Sequence, residues 1–504
     1  YEGKYVERDI NKAIHFYKLS ADQNDIIAQY KLGIVYIEGL YIQQDMNKAI
    51  HYLSLAADQN YPEAQHILGF LCIEGVHIKQ DINKAIQYLT FAASKNIYDA
   101  NYFLGDIYFS DQFVQRDIDK AIHHYLIASD HNIVDAQFKL GIIYYNGEYV
   151  QCDICKAIHY FTLAADNNDP RAQSNLGVIY LYGQYVSHDV NKAIHYFTIS
   201  ANQNYAEAQY DLGVIYDFGY HVKCDINKAI YYYSLAATKN HIDALFNLGF
   251  IYHLGKHVSR DIRKAVHYYT LAANKNHAQA QFNIGFFYYE GFGVEKNVKK
   301  GLFLFELSIK NGNKHSNFVL GYLYHEGINI KRDIQKSIYY YKEASSFNNQ
   351  YAKNNLGIIY KNGFGNDVPQ NLGKAIEYFN EAINQKNDPL SMYNLANIYL
   401  YHEKIEQNIN KSIELLVESV KQNFFHSLVL LCLALVKKNG NDLNNILQDI
   451  DKISDKSGRV SQKVKRMFYF LNLKSKSKFL DLYQEYQKID FLYNHRLECI
   501  SSSC

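Results

Sequence analysis

The chain has no tryptophan, four prolines and three methionines among its 504 residues. So few helix breakers point to a helical protein, whose aromatic packing falls to 48 tyrosines and 28 phenylalanines. Cysteine is present but unorganised: Cys72, Cys152, Cys155, Cys224, Cys432, Cys499 and Cys504 share no recurring interval. A disulfide-stapled array would place a pair in most of its units, so a reducing compartment, the cytoplasm, is expected. Net charge is almost nil, with 52 Lys and Arg against 51 Asp and Glu. No global field therefore favours nucleic acid or anionic lipid. The strongest apolar stretch, Leu428 to Val436, falls far short of the roughly 20 residues that span a bilayer, and no transmembrane segment is expected. No signal peptide is visible. Tyr1-Glu-Gly3 aligns with Ile37-Glu-Gly39, so the chain is expected to start inside a unit whose first helix lies upstream.

What is present is a period. Leu32-Gly33, Leu68-Gly69, Leu104-Gly105, Leu140-Gly141, Leu176-Gly177, Leu212-Gly213, Leu248-Gly249, Ile284-Gly285, Leu320-Gly321 and Leu356-Gly357 recur every 36 residues. A second phrase keeps step: Asp45-Met-Asn-Lys-Ala-Ile50, Asp81-Ile-Asn-Lys-Ala-Ile86, and onwards. Self-similarity at this period marks a solenoid, whose units bury their apolar faces only against one another.

Residues 62–97 show one unit. Pro62 fits the first helical position, where no amide hydrogen bond is needed. Ala64, Leu68, Leu71 and Cys72 then recur at helical spacing and define the buried stripe of a helix A. Gly69 sits in the helix interior at a cost of about 1 kcal/mol relative to alanine, which its recurrence explains by close approach of a neighbouring helix. Gly75 suits a left-handed cap. Asp81 can cap a helix B, whose apolar side is Ala85, Ile86, Tyr88, Leu89, Ala92 and Ala93. Next comes a column reading Asn24, Asn60, Asn96, Asn132, Asn168, Asn204, Asn240, Asn276, Gly312, Asn348. Asparagine replaced once by glycine implies positive φ.

The pattern Ala-x3-Leu-Gly-x2-Tyr-x2-Gly followed by Asp-x2-Lys-Ala-x2-Tyr-Tyr-x3-Ala resembles the Sel1-like repeat, a longer relative of the tetratricopeptide repeat. Ala136 to Gly147 and Asp225 to Ala237 carry it most clearly. The resemblance implies an all-α, right-handed α-solenoid of about eleven 36-residue helix-turn-helix units. It covers residues 1–420, with a degenerate repeat and a helical C-terminal cap in 421–504. Some bacterial members of that family carry a disulfide in each repeat; this chain lacks those cysteines.

The register drifts late. Asn297 replaces the aspartate and Leu304-Phe305 the aromatic pair, and the loop Phe364 to Gln370 moves the next equivalent, Leu395-Ala396, 39 residues on. A degenerate copy is expected at Leu433-Ala434 with Gly440, then helices over 442–454, 460–473 and 478–495. Lys456, Arg459, Lys463, Lys465, Arg466, Lys474, Lys476 and Lys478 follow one another with no acid between. A solvated face is the ordinary reading of such a run; Lys463, Lys465 and Arg466 are the candidates for a basic patch.

Chemistry has few footholds. His15, His51, His123, His159, His195 and His267 recur on the face opposite Ala49, Ile50 and Leu53, one unit apart, too far to share an ion. Cys152-Asp-Ile-Cys155 is a lone CxxC without a second pair or a strand-helix setting. Phosphate loops, nucleophile elbows and metalloprotease motifs are absent. No enzymatic activity, cofactor, metal or small-molecule substrate is expected.

An interaction surface remains. With Ala28, Leu32, Val35 and Tyr36 buried, columns 27, 30, 34, 37 and 38 (numbered on the first full unit) lie opposite. In tetratricopeptide-like arrays that row lines the concave groove, and the resemblance implies the same here. Tyr30, His66, Tyr102 and Tyr210 in column 30 are candidate partner-binding residues. Ile37, Phe109, Tyr145, Asp217, His253, Tyr289 and His325 in column 37 join them. Two placements of column 30 stay open: facing a partner, or packed between adjacent A helices. The expected function is a non-catalytic scaffold or adaptor for proteins or peptides. Alternatives are the regulatory repeats of a larger enzyme, such as a kinase, whose catalytic part lies upstream, and an ER-associated adaptor of a membrane ubiquitin ligase. The latter implies lumenal glycosylation, for which only Asn410-Lys-Ser412 offers a sequon.

Overall fold

The recurring Asp-x2-Lys phrase starts a helix because one aspartate does two jobs. Asp45 accepts from the Lys48 amide at 3.0 Å, satisfying an orphan N–H of the first turn. Its other oxygen lies 3.0 Å from Lys48 Nζ. The same ammonium sits 5.5 Å above the Tyr36 ring, which stacks on Tyr52 at 6.0 Å. Asp153, Asp189, Asp225 and Asp261 repeat the cap, and asparagine takes over at Asn297, Asn371 and Asn408. Helix A ends on a left-handed glycine, as at Gly75 (φ 67°) and Gly147 (φ 64°). Helix B is followed by the expected asparagines, with φ between 62° and 67° from Asn24 to Asn348 and 102° at Gly312. Asn204→Ala should cost about 1 kcal/mol in denaturant unfolding, because a Cβ without the local amide is penalised at φ 63°. Asn204→Gly should be neutral; equal losses for both would remove backbone strain as the cause.

In this computed structural model the described residues are 10–40, 42–183, 186–220, 222–255, 257–365, 367–402, 407–440, 442–453 and 459–473. They hold 26 α-helices and a single bridge, Phe364 to Val368, in the lengthened loop. The chain forms two compact units, Tyr1–Ala244 and Leu245–Cys504.

In the first unit each core is shared between modules. Ala157, Phe161 and Ala164 of helix B Ile154–Asp166 are buried with Ala172, Leu176 and Ile179 of the next helix A, Pro170–Tyr182. Within a module the glycine of helix A meets the ring of helix B. A Cβ on Gly141 would stand 2.5 Å from Phe161, and one on Gly177 2.7 Å from Phe197. Between modules runs a column that sequence reasoning passed over. Gln173 is buried and donates to the Ala165 carbonyl at 3.3 Å, while its own oxygen accepts from Gln203 at 2.8 Å. Gln65, Gln137 and Gln209 make the same donation to Ala57, Ser129 and Ala201.

The second unit keeps the plan with variations. In Ala278–Glu290 and Val298–Lys310 the usual alanine of helix B becomes Gly301, so close to helix A that a Cβ would lie 2.8 Å from the Gly285 carbonyl oxygen. The last modules share one cluster, in which Leu416, Leu431 and Cys432 pack with Ile446, Val460 and Val464. The helices expected over 442–454 and 460–473 are Leu443–Lys452 and Arg459–Leu473; the one over 478–495 lies outside the described residues.

Candidate functional site

Columns 30 and 37 do not simply face outward. In the first unit Tyr102 and Phe109 close on the buried Tyr125 ring from two sides, at 6.1 and 6.5 Å. Phe138 and Tyr145 do the same to Phe161. Tyr210 lies 5.8 Å from Tyr233 beneath a stacked His241, and Asp217 accepts from the Tyr233 hydroxyl at 3.3 Å. Tyr30 rests against Tyr61 at 5.0 Å and Ile37 is half-buried. His66 packs on Phe103 at 5.7 Å, with burial holding its imidazole below the usual histidine range. Column 30 thus packs on the helix-B ring of its own module where one stands there, and against the following helix A at Tyr30 and His66.

In the second unit two candidates are withdrawn. Tyr289 is 1% exposed, and its hydroxyl donates to the Ile328 carbonyl. His325 is buried, edge-on to Tyr341 and Phe364. Both are core residues, because the ring of helix B pulls column 37 inward. His253, half-buried, stands edge-on to Tyr269 and Phe287, and burial lowers its pKa.

The open side of helix A is carried by columns 27 and 38, which are mostly exposed, with the half-buried columns 31 and 34 between them on the same face. In the first unit the charged residues of these columns are mostly acidic, Glu38, Glu63, Glu74, Asp99, Asp106, Asp135, Glu207, Asp211 and Asp243 against Lys31, Lys139 and Arg171, while column 34 is apolar apart from Asp106. Two of the three cations are engaged locally. Lys139 pairs with Asp106 at 3.3 Å, and Arg171 binds Asp135 and Asp169 while its guanidinium lies 4.4 Å over Phe138. On consecutive A helices Tyr182 and Phe218 are 73% and 65% exposed, and Phe218 stacks on Tyr220 at 5.6 Å. The run of acids in column 27, broken in the first unit by Ile27 and Arg171, was the signal available in sequence.

The recurrent histidines from His15 to His267 are all exposed, on the far side of helix B. Cys152 has a structural place: its thiol points to the Tyr145 carbonyl at 3.4 Å, as Gln80 does to Ile73 and Arg116 to Phe109. Among the described residues no group of three His, Cys, Asp or Glu could hold a metal ion, and no helix is long and apolar enough to cross a membrane. Of the basic patch, Lys463 donates to Asn423 at 2.7 Å and Lys465 pairs with Asp451 at 2.5 Å. Lys463 and Arg466 border a cavity of about 470 Å³ lined by Val420, Phe424, Phe425, Leu428 and Met467. Lys456, Lys474, Lys476 and Lys478 lie outside the described residues. Ser412 of the sequon is buried in helix Ile409–Lys421, bonded to the Ala396 carbonyl.

Twelve matches to the Sel1 repeat tile residues 1–25, 26–61, 62–97, 99–133, 134–169, 170–205, 206–241, 242–277, 278–313, 314–346, 350–387 and 389–424. The chain belongs to the Sel1 repeat family. The twelve include the partial unit at the start of the chain and the copy at 389–424. Among solved structures, the Sel1 fold here is similar to c5321, a protective antigen of uropathogenic Escherichia coli. The TM-score is 0.64 at 22% identity, over 92% of this chain and 98% of that one. A Sel1 repeat protein from Oxalobacter formigenes gives 0.52 at 27% identity, over 62% of this chain and 90% of that one. No curated protein sequence matches significantly.

Proposed function

We propose that the chain is a non-catalytic scaffold that binds protein partners on the exposed helix-A face. The observation that carries this reading is the contrast between frame and face. The glycine-ring pairs, caps and glutamine amides repeat module by module, whereas columns 27, 31 and 38 change residue type at almost every step. Tyr182 and Phe218 stand out of that face mostly exposed, Phe218 covered only in part by Tyr220, and exposed aromatics in a small area are the usual anchors of an interface.

The test is affinity capture with the intact chain carrying Tyr182→Ser and Phe218→Ser, against a Tyr231→Ser control on exposed helix B. Partners held by the wild type should fall at least tenfold with the double variant and persist with the control. Retention by the double variant would move the binding surface elsewhere.

A further inference from the structure

The face of the first unit has a chemical preference that deepens the reading just proposed and rests on it. We infer that the helices Pro170–Tyr182 and Ala206–Phe218 receive a basic segment of a partner protein, with arginine or lysine side chains interleaved with apolar ones.

The chain itself displays such a seat when filled. Arg171 lies flat over Phe138 and bonds to two carboxylates, Asp135 and Asp169, an arrangement that joins charge-assisted hydrogen bonds to a cation–π contact. One module on, the acids are present but the cation is not. Glu207 and Asp211 stand one turn apart on Ala206–Phe218, and no lysine or arginine among the described residues pairs with either. Glu207 has only the His241 imidazole, at 3.1 Å. Asp211 is largely withdrawn from water, and its carboxyl is pushed up to about 7, first by that burial and then by Glu207. A carboxylate kept from water beside a like charge is stabilised by an incoming cation, which removes both penalties.

The apolar end gives the spacing. Phe218 follows Asp211 by two turns, roughly 10 Å at 1.5 Å per residue, with Tyr182 at the same level on the neighbouring helix. A polyproline II segment, with three residues per turn and a rise of about 3.1 Å per residue, places a cation and an apolar side chain three residues apart on one face across roughly that distance. An acidic tail is disfavoured on these two helices by the same charges, since the cation they carry, Arg171, is already engaged with Asp135 and Asp169.

The probe is a labelled 14-residue peptide of alternating arginine and leucine, with a glutamate–leucine twin, titrated into the intact chain at physiological salt. The arginine peptide should bind at least tenfold tighter than its twin. Glu207→Gln with Asp211→Asn should weaken it at least tenfold; asparagine already stands at the equivalent Asn175, so the fold tolerates it. Asp130→Asn with Asp166→Asn removes the same charge from exposed helix-B positions and should change nothing.

Asp211 adds a pH signature. Its carboxylate form, which a cation prefers, is populated only as pH rises through about 7, so affinity should strengthen about tenfold from pH 6 to pH 8. The groups that act on it are Glu207 on its own helix and Tyr205 just before that helix, with Arg171 reaching Tyr205 and His241, from the loop that follows, bonded to Glu207. His241→Gln should keep the slope and Asp211→Asn should flatten it; the reverse would overturn the assignment. Equal binding of both peptides, or equal weakening by the helix-B control, would reduce the effect to bulk charge and overturn it too. Self-association lost in the Glu207/Asp211 variant would make the occupant a second copy, not a partner. If captured proteins depend on Tyr182 and Phe218 but not on Glu207 and Asp211, the interaction face stands and its basic preference falls. If they depend on neither, both fall.

Discussion

Phe197→Ala should lower stability by about 3–5 kcal/mol, the range for deleting a fully buried aromatic ring. Phe197 is 0% exposed and sits between helix A and helix B of its module, in a cluster with Ala193, Ala201, Leu212 and Ile215. The space it leaves would be hard to close. Gly177 on the facing helix contributes no side chain, and the backbone there is held by the Asp189 cap and the Gln173 amide. In a stack where each module contacts only its neighbours, the loss should be local. Amide hydrogen exchange should accelerate most in residues 170–215 and least near the ends of the chain. A loss below about 1 kcal/mol, or uniform acceleration, would show that the ring is not the organiser of its module.

The glycine beneath each ring yields the second large effect, and its sign is the test. Gly141→Ala gains about 1 kcal/mol of helix propensity, yet its Cβ would lie 2.5 Å from a Phe161 ring that is itself fully buried. Overpacking of this kind costs about 1–3 kcal/mol and occasionally more. The net expected result is destabilisation by up to about 2 kcal/mol. At Gly285 the added carbon would meet Leu304 and Phe305 only at 3.1 and 3.2 Å, so Gly285→Ala should be near neutral. Denaturant midpoints of the two variants decide the matter. A stabilised Gly141→Ala would mean that the helices separate freely, and the glycine column would then need another cause.

Those glycines also show what sequence made legible. Gly33 to Gly357, the aspartate caps and the positive-φ asparagines are local requirements repeated ten or so times, so their backbone meaning could be read without coordinates. Gln173 and its equivalents could not, because a lone amide on a helix reads as surface until the preceding module supplies the carbonyl that buries it. Tyr289 and His325 were misplaced for a related reason. Helical spacing assigns a side chain to a face but not the tilt that carries it onto a ring of helix B. Gly301, which draws two helices together, went unnoticed because the drift around it was read only from Asn297 and Leu304. The run of acids along column 27, from Glu63 to Asp243 and broken by Arg171, stood in the sequence, hidden by a net charge near zero.

The glutamine latch has a consequence for how such a chain changes length. Because Gln137 grips the Ser129 carbonyl and Gln173 grips Ala165 in the same way, the seams that carry this glutamine are interchangeable. Excision of residues 134–169 would bring Gln173 to the carbonyl Gln137 now holds, with no seam of a new kind to invent. Duplication or loss of whole 36-residue cassettes therefore alters reach and the order of surface residues while leaving the joinery untouched.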